Sequence, residues 1–180
     1  MSILKFLGLE KKDSPAASAT PETETVRKIT HALDQLDPER ARYIAAFAYI
    51  LSRVSHADLH ISPEETQAME RIVMDHAGLP EPQAILVVQM AKTQSLLFSG
   101  TENFLVTREF NKITTREQKL ALLDCLFAVS SSDENISTVE DNEIRQIASE
   151  LRLDHADFIA ARSRYRQHLS VLKKPAEPEG

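Results

Sequence analysis

Apolar residues recur along this chain at intervals of three and four, the spacing of one helical face. Nowhere do Val, Ile and Thr alternate long enough to suggest a sheet. Ala46, Phe47, Ile50, Leu51 and Val54 form one stripe, and Ala121, Leu122, Cys125, Leu126 and Val129 form another. Start and stop signals bound these stripes. A first helix is predicted over about 22–36, and Asp37, Pro38 and Glu39 open a second over about 38–56. Ser62, Pro63 and Glu65 open a third over 63–77, which Gly78 stops. Pro80 begins a segment over about 80–98, Gly100 breaks it, and Phe104 to Ile113 outline a short helix. Thr114 with Glu117 reads as a capping box for a helix over about 115–131. Ser137 with Glu140 starts one over about 138–151, and Asp154 starts a last one to about 170. The predicted class is therefore all-α, a bundle of seven or eight helices.

The pattern is written twice. At an offset of 75 residues, nine of the thirty positions 46–75 meet an identical residue: Ala46, Leu51, Val54, Ser55, Asp58, Ile61, Ser62, Glu65 and Ile72. Each copy reads as apolar helix, short acidic loop, amphipathic helix, so the bundle is expected to consist of two repeated helix-loop-helix units. An approximate twofold relation between them would place Leu51, Val54, Ile72, Leu126, Val129 and Ile147 in one shared core.

Composition narrows the chemistry. The four Gly stand apart at 8, 78, 100 and 180, so neither a phosphate-cradling loop nor a nucleophile elbow can be built. A net charge of −6 argues against nucleic acid as the partner of the whole domain. The longest apolar run, Tyr43 to Leu51, is about half of a membrane span. The single Cys125 lies on an apolar stripe and is read as a buried core thiol, which fits a cytoplasmic protein.

Residues 1–23 are read as a flexible tail, 24–170 as the helical domain and 171–180 as a second tail. Within the first tail, Ile3, Leu4, Phe6, Leu7 and Leu9 precede Glu10, Lys11 and Lys12, whereas a secretion signal carries its positive charge first. Near the other end Arg162, Arg164, Arg166, His168, Lys173 and Lys174 set a basic segment against an acidic domain. A solvated helix end is the simpler reading of it, and an anionic lipid or phosphate-bearing partner the second.

The two loops are the candidate site. Their shared phrase, Asp followed by Ile, Ser and Glu, matches the second half of a calcium-binding EF-hand loop, whose carboxylates supply hard oxygen ligands. Asp58, Glu65, Asp133 and Glu140 are the candidate metal ligands. The first loop position is Val54 in one copy and Val129 in the other, so the usual ligand set is incomplete. Acidic side chains also cap helix N-termini, and capping alone is the simpler account. His56 and His60 stand four apart, but the second copy has Ser131 and Asn135 in their places. No organic cofactor and no catalytic residue is implied; a divalent cation is the one candidate ligand.

The residues VSHADLHISPEE at 54–65, with Met69 and Ile72, and VSSSDENISTVEDNEIRQIASEL at 129–151 resemble the TerB-like tellurite-resistance domain over roughly residues 40–165. Where that family carries Gly after the loop Asp, this chain has Leu59 and Glu134, so the resemblance does not carry over a shared loop shape or ion site. The resemblance implies a cytoplasmic, non-enzymatic bacterial stress-response protein. It implies an interaction or sensing role through an unidentified protein partner, with a membrane-associated partner as one candidate, since a similar domain is found in certain membrane-anchored co-chaperones. The alternative is a small metal-dependent enzyme using the four loop carboxylates. Because the linker at 13–23 carries almost no apolar surface, deleting the N-terminal 22 residues is expected to shift the melting temperature by no more than about 4 °C. Thermal unfolding of the truncated protein checks this.

Overall fold

The computed structural model describes residues 21–54, 62–93 and 103–173. These form eight helices: α1 Pro21–Asp34, α2 Pro38–Ser52, α3 Pro63–Ala77, α4 Glu81–Lys92, α5 Asn103–Ile113, α6 Arg116–Ser130, α7 Thr138–Glu150 and α8 His155–Arg164. Two three-residue turns of tighter helix, Arg166–His168 and Ser170–Leu172, follow α8.

Local chemistry sets the helix ends. The Asp37 carboxylate accepts from the backbone N–H groups of Glu39 and Arg40, and Pro38 spends its missing N–H where none is needed. Gly78 ends α3 in the left-handed region at φ 63°, its N–H bonded to Met74 O. Helix α7 stops without a glycine. Arg152 takes φ 57° there, and the Leu153 N–H returns to Ala148 O at 3.0 Å.

α2 packs mainly on α4 and α5, α3 on α6 and α4, and α6 on α8 and α7, while α1 covers α4 and α2. α2 thus meets α4, and α6 meets α8. α6 also packs on α7, whereas α2 makes no comparable contact with α3 among the described residues. α2 and α6 are the centre. Tyr43 through Ser52 are buried without a break, as are Leu122 through Ser130 except Asp124. Such helices are enclosed on every side, a broader burial than the single stripe read from the sequence. Tyr43 stacks on Phe110 at 5.5 Å and ties α2 to α5; Phe127 meets Phe158 at 5.8 Å and ties α6 to α8.

Leu51, Val54, Leu126, Val129 and Ile147 are buried in one continuous core, against which the half-buried Ile72 packs. Four local expectations are corrected. α2 ends at Ser52 and α4 at Lys92, short of 56 and 98. The box that starts α6 is Thr115 with Gln118, because the Thr114 hydroxyl bonds back to Phe110 O at the end of α5. The last helix ends at Arg164, since the chain must turn to bury Leu169 beside Ile136. There a single parallel bridge forms, with Ile136 N–H donating to His168 O at 2.7 Å and Ser170 N–H to Ile136 O at 2.9 Å. Leu126 has no exposed surface. Truncation to Ala is expected to cost about 2–5 kcal/mol in urea unfolding.

Candidate functional site

The described candidate carboxylates, Glu65, Asp133 and Glu140, are each bonded within their own loop or the helix that follows. Ser62 N–H donates to Glu65 Oε2 at 2.7 Å while Glu65 N–H donates to Ser62 Oγ at 3.1 Å. Ser137 and Glu140 repeat the exchange at 2.8 and 3.2 Å, and the Ser137 hydroxyl adds a bond to Glu140 Oε2 at 2.6 Å. The bonds from Ser62 hold the exposed Glu65 carboxyl below its ordinary value. Asp133 Oδ1 accepts from Asn135 N–H at 3.0 Å and shapes the turn. Asp58, His56 and His60 lie outside the described residues. Among the described residues no three metal-ligating side chains gather.

The second loop keeps a left-handed residue where the resembled family has Gly. Glu134 takes φ 64°, so the backbone bends there without glycine. A non-Gly residue in this conformation costs of order 1 kcal/mol. Contacts from the C-terminal segment hold it. Lys173 Nζ donates to Glu134 O at 2.6 Å and lies 3.2 Å from Asn135 Oδ1, next to the Ile136–Leu169 bridge.

Three ion-pair groups, together with a separate Arg116–Asp157 pair between α6 and α8, fasten the helices around this frame, and sequence reasoning found none of them. Arg53, at the end of α2 with a side chain 4% exposed, donates from Nε to Glu143 at 2.7 Å and from Nη1 to Glu150 at 2.7 Å, both on α7. Glu143, Gln146 and Glu150 share one face by their spacing, a legible signal; their partner ninety residues earlier is not. Burial pushes the Glu150 carboxyl up, but hydrogen bonds from Arg53 and Gln146 and the Arg53 charge outweigh it and hold it below its ordinary value. Arg162 on α8 grips Asp141 on α7 with two bonds of 2.8 Å, and the same bonds raise the guanidinium's affinity for its proton.

The third group joins α3, α6 and α8. His76 Nδ1 lies 2.6 Å from Asp124 Oδ2; a carboxylate oxygen accepts, so Nδ1 carries the hydrogen and Nε2 is left for other contacts. Arg164 Nη2 is 3.1 Å from Asp124 Oδ1 without the alignment of a hydrogen bond. These residues, with Asp157 and three apolar side chains, line a cleft of about 340 Å³. Arg116 neutralises Asp157 at 2.6 Å. Cys125 is fully buried, and burial pushes its thiol far up, so it is an inert core residue as expected.

An all-helical bundle with ion pairs locking helix to helix, in which Glu65, Asp133 and Glu140 accept from backbone N–H groups, defines a helical domain. The family model described as tellurite resistance protein TerB matches residues 43–163. This chain belongs to that family. No curated protein and no solved structure matches it.

Replacing Arg53 by Met leaves the half-buried Glu150 without its cation and is expected to cost about 1–3 kcal/mol at neutral pH. The folded Glu150 value is depressed, so the pair's contribution is complete above the ordinary Glu value of 4.5 and is lost as pH falls through the lower folded value. Urea unfolding should therefore show the gap between wild type and Arg53→Met narrowing in acid.

Proposed function

We infer that this TerB-family protein is a non-enzymatic helical module of a bacterial stress response. In this reading it works in the cytoplasm by binding a protein partner and senses divalent cations weakly through its acidic loops. The observation that carries it is the repeated use of Glu65 and Glu140 at the starts of α3 and α7, each with one carboxylate oxygen on a backbone N–H. A cation drawing on either carboxylate competes with the cap and loosens the first turn of a helix that contributes to the core. Ion binding is thereby coupled to the bundle surface presented to a partner. Exposed apolar side chains on that surface, among them Phe104 on α5 and Ile159 on α8, give a protein partner something to bury.

Calorimetric titration with calcium, magnesium and manganese tests the ion half of this reading. The incomplete ligand set predicts dissociation constants no tighter than about 10⁻⁴ M. A Glu65→Gln/Glu140→Gln double variant keeps the capping bonds, because the amide oxygen accepts from the same Ser N–H, and is expected to unfold like wild type while binding no cation. Pull-down from a bacterial lysate, with and without the cation, tests the partner half. Partner capture by wild type that changes with the cation, and by the double variant that does not, is the expected result; sub-micromolar calcium affinity would overturn the weak-sensor reading.

A further inference from the structure

Beyond α8 the chain doubles back to bridge the second loop, and this turn builds a basic cleft. Ser163, Arg164, Arg166, Gln167, Leu172 and Lys173 line about 500 Å³, with three cations and no carboxylate among them. Their charges are less cancelled than that of Arg162, which two bonds tie to Asp141. Arg164 shares Asp124 but keeps a side chain 60% exposed. Lys173 donates to Glu134 O and Asn135 Oδ1, neutral oxygens that position the ammonium and leave its charge intact. The Arg166 side chain is exposed and has no polar partner among the described residues. Beside these cations Val171 and Leu172 stand 60% and 49% exposed. The family match ends at 163, so of the lining residues it includes only Ser163.

We propose that this face docks peripherally on an anionic phospholipid bilayer, with Arg164, Arg166 and Lys173 on lipid phosphates and Val171 and Leu172 in the boundary between headgroups and acyl chains. Guanidinium forks suit phosphate oxygens, and aliphatic side chains framed by cations suit a membrane interface. Charge complementarity selects the occupant. The chain as a whole carries −6, so an anionic surface repels most of the protein and attracts this cleft, fixing the orientation of approach. No helix among the described residues is long and apolar enough to cross a membrane, in keeping with contact at the surface.

Co-sedimentation of the full chain with vesicles tests the proposal, comparing phosphatidylcholine alone with a mixture containing about one-third phosphatidylglycerol. Binding is expected to the anionic vesicles only and to weaken as salt rises. Each neutralised cation should weaken it about fivefold, so Arg166→Gln alone gives about fivefold and Arg166→Gln/Lys173→Gln roughly 25-fold. Arg166→Gln removes no described polar contact, so its effect cannot be assigned to lost folding. A Val171→Ser/Leu172→Ser variant should bind more weakly while keeping the salt dependence. Undiminished binding by the charge variants, equal binding to neutral vesicles, or no vesicle binding overturns the proposal. Loss of binding on deleting residues 1–12 while Arg166→Gln binds normally would assign the contact to the N-terminal amphipath instead. Calorimetric binding of inorganic phosphate or a phosphopeptide by a chain that ignores vesicles would replace the lipid with a soluble anion.

Discussion

Two helices that cannot meet water on any side constrain the rest of this molecule. α2 and α6 carry unbroken runs of buried residues, Tyr43 to Ser52 and, Asp124 apart, Leu122 to Ser130. Neither run is stable unless other helices enclose it, since exposing even one of its large side chains forfeits about 1.5–3 kcal/mol. Hence α4 and α5 lie on α2, α8 and α7 on α6, and α3 packs on both α6 and α4.

Enclosure sets the end of α2 against α7, and polar groups there must be satisfied. Arg53 is the clearest case. Its position at the end of an enclosed helix buries a guanidinium, and α7 answers with Glu143 and Glu150. A paired buried charge adds little to net stability compared with an apolar substitute, but an unpaired one costs several kcal/mol, so the group specifies how α2 and α7 meet. Asp141 with Arg162 and Asp124 with His76 and Arg164 do the same for α8, which would otherwise be held mainly by Phe158 and Ala161.

The second acidic loop lies where these constraints converge. Its carboxylates set the turn and the start of α7, its Glu134 holds a left-handed backbone, and the C-terminal segment crosses it through the Ile136 bridge and Lys173. The same crossing assembles the basic cleft on the outer side. A loop read as an ion site is therefore also the anchor of the last described turn.

The sequence by itself determined what depends on neighbours a few residues apart. Three- and four-residue spacing gave the all-α class, and Ser62 with Glu65 and Ser137 with Glu140 gave the starts of α3 and α7 to the residue. The paired phrase also carried the family likeness that the match over residues 43–163 established. Where two neighbouring residues competed, local reading slipped: Thr114 and Thr115 can both cap, and only the position of Phe110 O decided between them. Tertiary structure alone decided which helices are enclosed, because burial on the far side of a stripe depends on what packs there. It also decided that Arg53 meets Glu143 and Glu150, that His76 meets Asp124, and that α8 ends early so that Leu169 can bury beside Ile136. Those partners stand between 33 and 97 residues apart. Over such separations spacing carries no information, and contact is fixed by which faces the two enclosed helices leave for the others to cover.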